Sequence, residues 1–103
     1  MTIQNPIYLV VGTNEQARFT SQATQPQRLT LTSGASRFVV DLPAAPLPLS
    51  PGQWRVLHQT VYQGQWRRGL GKKNSAGHAG FDDNPDGTGD NDFNDATITI
   101  ENR

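Results

Sequence analysis

Residues 27–42 read QRLTLTSGASRFVVDL, and the period of their apolar side chains decides the fold. Leu29 and Leu31 alternate with Arg28, Thr30 and Thr32; beyond Ser33-Gly34-Ala35, Phe38, Val40 and Leu42 alternate with Arg37 and Asp41. A period of two puts every apolar residue on one side of an extended strand, whereas a helix would need spacings of three and four. The Gly-containing step between the two runs is turn chemistry. The stretch predicts a β-hairpin with one buried face.

The segments on either side carry the same signature. Residues 7–11, IYLVV, and residues 17–22, ARFTSQ, read as two strands separated by the turn-forming Gly12-Thr13-Asn14. At the far end Ala96, Ile98 and Ile100 alternate with Thr97, Thr99 and Glu101, giving a last strand of fixed register. Residues 43–52, PAAPLPLSPG, hold prolines that exclude helix and central strand, so this piece is expected to cross the molecule as an extended connection. Residues 53–69, QWRVLHQTVYQGQWRRG, are rich in aromatic and β-branched residues. They fit strands touched on both faces or a hairpin turning near Gln63-Gly64. Residues 69–80, GLGKKNSAGHAG, have little apolar content to pack and read as a mobile loop. The expected architecture over residues 1–103 is a single all-β domain, a small antiparallel β-sandwich with an acidic loop before its last strand.

Composition narrows the function. The 103 residues contain no cysteine, which removes disulfides, thiolate metal sites and cysteine nucleophiles. The formal net charge is zero, so the global basic excess of a non-specific nucleic-acid binder is missing, and no nucleic-acid partner is expected. The signs are segregated along the chain. Arg67, Arg68, Lys72 and Lys73 form a cationic group, while Asp82, Asp83, Asp86, Asp90, Asp92 and Asp95 are six of the nine acidic residues. The only apolar run near the start, Ile7 to Val11, is too short to span a membrane and has no basic leader or cleavage site. The expectation is synthesis in the cytoplasm without a recognisable signal peptide.

The chemistry concentrates in residues 86–95, DGTGDNDFND, which run directly into the ATITI of the last strand. Four carboxylates this close repel one another unless a cation joins them. Asp and Asn are hard oxygen donors and point to calcium; zinc would draw on His or Cys, and His58 and His78 lack ligand spacing, reading as ordinary strand or loop residues. Asp86, Asp90, Asp92 and Asp95 carry the charge that two calcium ions would balance. A second register sets Asp82, Asn84, Asp86, Gly87, Thr88 and Asp90 on positions of an EF-hand loop. There the last position, which needs a bidentate Glu, is Phe93, and no amphipathic helix flanks it.

The stretch DGTGDNDFNDATITI resembles the C-terminal signature of the bacterial two-calcium fucose/mannose-binding lectins. In that signature Asp-Gly-Thr is followed by Asp-Asn-Asp-aromatic-Asn-Asp-Ala and an alternating apolar strand. The resemblance implies a β-sandwich in which two neighbouring calcium ions coordinate the hydroxyls of one monosaccharide. It implies Asp90, Asp92, Asn94 and Asp95 as calcium ligands, with Asp92 and Asp95 bridging the ions, and Asp86 in the place of a further acidic ligand. Phe93 would hold the loop from inside. Asp86, Asp90, Asp92 and Asp95 would also accept hydrogen bonds from sugar hydroxyls. Such bonds are charge-assisted, and the ions fix their geometry.

Other readings compete. Trp54, Tyr62 and Trp66 could stack on a sugar, although aromatics in a small β domain more often belong to the core. Paired carboxylates could serve glycoside hydrolysis, but that needs one acid kept protonated in an apolar setting, and Gly- and Asn-rich surroundings favour ionisation of them all. No nucleophile–base or phosphate-loop arrangement is present, so no enzymatic activity is expected. The alternative is a non-catalytic sandwich in which calcium is only a structural staple. The expected partner is a carbohydrate or glycoconjugate, met by a homo-oligomer because single-sugar sites gain from multivalency.

Overall fold

The computed structural model describes residues 5–82 and 95–103. These form ten strands: β1 (Ile7–Val11), β2 (Glu15–Ser21), β3 (Gln27–Ser33), β4 (Ser36–Leu42), β5 (Leu47–Pro48), β6 (Gly52–Tyr62), β7 (Gln65–Arg68), β8 (Leu70–Ser75), β9 (His78–Asp82) and β10 (Ala96–Asn102). All pairings are antiparallel. One sheet runs β1-β6-β3-β4, with β7 also paired to β6; the other runs β5-β2-β10-β9-β8. Their inner faces meet in one apolar cluster, a β-sandwich as the alternation predicted.

The hairpin at 27–42 is present, with Ser33 paired to Ser36 and Gln27 to Leu42. Gly34 at φ 59° supplies the left-handed first position of its two-residue turn. Leu29 and Leu31 are fully buried as expected. Phe38 is not: it points inward against Trp54, with ring centroids 5.8 Å apart, yet is 38% exposed. The reason is position, because β4 is the outermost strand of its sheet and has no further strand beside it to cover the ring.

β1 and β2 are sequential but do not pair. The Gly12–Glu15 turn, closed by the Glu15 N–H donating to the Gly12 carbonyl at 3.2 Å, carries the chain from one sheet to the other. Asn14 takes the left-handed conformation there (φ 62°), which Asn tolerates better than most side chains. The Pro-rich segment crosses likewise, leaving β4, adding the two residues of β5 to the edge of the other sheet, and returning to β6. Proline is acceptable at that edge because it removes no central ladder bond. The β6–β7 hairpin turns at Gln63-Gly64, both with positive φ (53° and 75°), as a turn matching strand twist requires.

The expected loop at 69–80 is a correction: residues 70–82 are almost wholly strand, β8 paired to β9 and β9 to β10. Apolar content misled because the inner positions of this hairpin are filled by small residues, buried Gly71 and Ala79, beside Phe81. The pleat's backbone pairing supplies order that side-chain hydrophobicity did not advertise. The last strand conforms: Ala96 and Ile98 are fully buried and Ile100 packs on the core.

One end of the core is polar. Across the β3–β6 ladder, Gln27 sits opposite Thr60, and Leu29 opposite His58. Gln27 Nε2 donates to Thr60 Oγ1 at 2.7 Å and to the Gln25 carbonyl at 3.1 Å, and Thr60 Oγ1 donates to the Pro26 carbonyl at 3.3 Å. Asn5 seals the same end, donating to the carbonyls of His58 and Gly69 and accepting the His58 N–H.

Candidate functional site

The acidic segment is strung between neighbouring strands. Asp82 ends β9, Asp95 directly precedes β10, and the two strands pair with Phe81 opposite Ala96. Asp95 is held by its backbone on both sides: its N–H donates to the Phe81 carbonyl at 3.1 Å, and its carbonyl accepts from Ser21 Oγ at 2.8 Å and the Gln22 N–H at 3.3 Å. β2, β9 and β10 therefore all meet at the root of the segment. Of the expected ligands, Asp95 is placed there, half-buried; Asp86, Asp90, Asp92 and Asn94, together with Phe93, lie outside the described residues.

Asp82, at the other root, is 1% exposed. It lies beside the polar end of the core, since a Cβ built on Gly69 would strike both the Asp82 carbonyl and the His58 ring. The His58 ring in turn stacks on Phe81, centroids 4.8 Å apart and planes at 21°. Phe81 thus links the buried imidazole to the backbone that anchors Asp95. The attachment of the acidic segment is braced at Phe81 by a packed aromatic pair, a connection the sequence did not disclose because His58 and Phe81 are distant along the chain.

Among the described residues no group of three or more His, Asp or Glu side chains converges in a way that could hold an ion, and no cavity forms between them. His58 is enclosed, with Nε2 bonded to Gln27 Oε1, and burial pushes its pKa down to about 3. His78 is engaged on Asn74, Nδ1 to Nδ2 at 3.0 Å.

Along the outer face of the second sheet, Thr20 and Thr97 share a hydrogen bond. Arg18 holds Glu101 through two bonds of 2.6 and 2.9 Å, and Gln16 Nε2 adds a third at 3.0 Å. Hydrogen bonds from Arg18 and Gln16 hold the Glu101 carboxyl below the usual range. These contacts fasten β10 to β2 along its length. Arg103 finishes the clamp, donating from Nε to the Glu15 carbonyl at 2.9 Å and from Nη2 to the Leu49 carbonyl at 3.0 Å. It stands at the opposite end of β10 from Asp95, roughly 25 Å away at the rise of an extended strand.

The aromatic residues divide. Trp54 is core, 1% exposed, its Nε1 donating to the Ser50 carbonyl at 2.8 Å. Trp66 is 38% exposed, and Arg28 covers its face with the guanidinium carbon 4.0 Å from the ring centroid. Arg28 is itself held by Asp41 at 2.7 Å, an opposite-charge bond that keeps the Asp41 carboxyl below its ordinary range. The exposed tryptophan is thus capped by a cation instead of offering a bare stacking surface.

No helix among the described residues is long and apolar enough to cross a membrane. Comparison with models of known protein families, with curated proteins and with solved structures finds no match to this chain.

Proposed function

We propose that this protein is a non-catalytic, calcium-dependent carbohydrate-binding sandwich that takes a monosaccharide of the fucose/mannose type through two calcium ions held by its Asp-rich segment. Asp86, Asp90, Asp92, Asn94 and Asp95 are the ligands in this reading, and Asp86, Asp90, Asp92 and Asp95 also accept the sugar's hydroxyl protons. The observation that carries it is the double anchorage of Asp95, whose N–H and carbonyl are tied to β9 and β2 immediately before β10. A metal ligand gains from a root that is already fixed, because less chain entropy is lost when the ion binds.

The sequence supports calcium through the donor set, and the sugar through the lectin-like signature. A pair of ions leaves vacant coordination positions at fixed spacing, which vicinal hydroxyls can fill in place of water. Homo-oligomers would multiply such single-sugar sites. The test is calorimetric titration of the calcium-saturated protein with fucose and with mannose, repeated after exhaustive chelation. Heat that disappears with the metal supports the reading. Absence of heat with either sugar, alongside a large calcium-dependent rise in Tm, would replace it with calcium as a structural staple.

A further inference from the structure

The two sheets end in several free edges, and all but one of them are guarded. β5 is two residues long and contains Pro48. β8 carries Lys72 and Lys73 and a register break between Lys73 and Ser75. β7 is four residues with Arg67 and Arg68 at its end. β1 is five residues, preceded by Pro6, and its inward Ile7, Leu9 and Val11 are already at most 2% exposed, so a further strand would cover none of them. Like charges, above all lysine, together with proline, bulges and shortness are the devices by which sheets prevent pairing with other chains.

β4, Ser36–Leu42, has no lysine, proline or bulge and is not short, and its two charges, Arg37 and Asp41, are opposite in sign and so do not repel a second copy laid against it in reverse order. It is seven residues of SRFVVDL without Pro, Gly or Lys, and not one of the seven is buried. Phe38 faces the core side yet is 38% exposed, and Val39 on the outer side is 47% exposed.

The backbone of β4 is poised for a partner. Ser33 and Ser36 flank a two-residue turn and so form a hydrogen-bonded pair; from there bonded and non-bonded pairs alternate. Phe38, Val40 and Leu42 thus direct their N–H and C=O groups to β3, and Arg37, Val39 and Asp41 direct theirs to the free edge. The side chains of these three all lie on the outer face, with a cation at one end and an anion at the other.

We propose that β4 is a homodimerisation edge, pairing antiparallel with β4 of a second copy about a twofold axis at Val39. In this register Arg37 lies opposite Asp41 of the second copy, and Asp41 opposite its Arg37, both on the outer face. Phe38 lies opposite Val40 on the core side. The outward backbone groups of Arg37, Val39 and Asp41 meet their counterparts in about six hydrogen bonds. A twofold interface demands a self-complementary patch, and the order cation, three apolar residues, anion is self-complementary in charge when read in reverse. Asp41 already accepts from Arg28 through Oδ1 at 2.7 Å and Oδ2 at 3.4 Å, but its side chain is 64% exposed, leaving lone pairs for a second guanidinium. Arg37 has no ion-pair partner among the described residues. The occupant is another copy of this chain, and the interface is independent of calcium.

Sedimentation velocity over a range of protein concentrations tests this. Wild type should form a concentration-dependent dimer that persists under chelation. Arg37→Glu replaces two attractive cross-strand pairs by two repulsive ones and should raise the dimer dissociation constant roughly tenfold or more. Asp41→Lys should do the same, and an equimolar mixture of the two variants should recover a heterodimer near wild-type strength, since every facing pair is again opposite in sign. Should Asp41→Lys fail to fold once Arg28 loses its partner, Val39→Lys, which sets two lysines face to face on the axis, provides an independent disruption. A wild type that stays monomeric throughout, a dimer indifferent to Arg37→Glu and Val39→Lys, or a dimer that dissociates when calcium is removed would overturn the proposal.

Discussion

His58 Nε2 lies 2.5 Å from Gln27 Oε1 in the interior of the sandwich, with both side chains at most 1% exposed. Gln27 uses its amide nitrogen on Thr60 and on the Gln25 carbonyl, so the oxygen faces His58 and the imidazole must donate from Nε2. Nδ1 is then the unprotonated nitrogen. It has no hydrogen-bond partner among the described residues and lies against Gly69. A proton there would be a buried charge without an acceptor, so the ring stays neutral and its pKa falls to about 3.

That relationship fixes a pH dependence. In the unfolded chain the histidine titrates near 6.5, so below that pH the unfolded state binds a proton the folded state refuses. Stability is complete above about pH 6.5 and is lost progressively as pH falls towards about 3, at up to roughly 1.4 kcal/mol per pH unit for this one group. The lowered carboxyls of Asp41 and Glu101 lose their stabilising contribution only as pH falls through the carboxylate range, so His58 is compared with its variant above pH 5. Urea denaturation of wild type between pH 7.5 and 5 should show the decline, and His58→Gln, which keeps a donor but cannot titrate, should flatten it. Parallel curves for the two proteins would mean that His58 is not held neutral.

Two glycines should respond to alanine for opposite reasons. At Gly69 the obstacle is space: a Cβ runs into the Asp82 carbonyl and the His58 ring, neither of which is a flexible side-chain tip, and overpacking of this sort costs roughly 1–3 kcal/mol. At Gly34 there is open room, and the obstacle is the left-handed backbone at φ +59°, a cost on the order of 1 kcal/mol. Denaturant midpoints should place Gly69→Ala below Gly34→Ala, and Gly69→Ala should also shift the pH curve because it disturbs the wall of the imidazole pocket.

The tryptophans give an optical check on the packing. Trp54 at 1% exposure should be shielded from acrylamide, and Trp66 at 38% should be quenched. In Trp66→Phe the remaining emission should be blue-shifted and resistant, and in Trp54→Phe red-shifted and accessible. Equal quenching of both single-tryptophan proteins would contradict the placement of Trp54 against Phe38 and the Ser50 carbonyl.

For the proposed site, Asp92→Ala and Asp95→Ala should each abolish detectable sugar binding in calcium-saturated protein while leaving a folded chain of lower calcium-dependent Tm. Folding should survive at Asp95 because the bonds to Phe81, Ser21 and Gln22 are made by its backbone. Asp41→Asn, on the outer face of the other sheet, should leave sugar affinity intact. Full sugar affinity in either loop variant would remove that residue from the bridging role.

Much of the fold was legible in the chain because alternation is a local property. The alternation at 27–42 and 96–101 gives strands with the correct inward residues wherever a second sheet lies over them, and the run at 7–11 gives a strand. Phe38 failed that rule because exposure depends on what faces a strand, and nothing local says that β4 is an edge. The hairpin within 70–82 is not legible locally because its order comes from pairing with β10, which follows only after the acidic segment. For the site, the sequence offered donor types and spacing. The structure adds only the roots, Asp82 buried beside the polar core end and Asp95 tied to two strands.

The sequence by itself determined the class, an all-β chain with its negative charge gathered next to the last strand, because side-chain period and charge order are written residue by residue. Only the tertiary structure decided that β1 and β2 belong to different sheets, that His58 is a neutral core residue stacked on Phe81, and that β4 is left open with its charges in self-complementary order. Those outcomes depend on which strands become neighbours, and strand neighbourhood is chosen by the packing of the whole core.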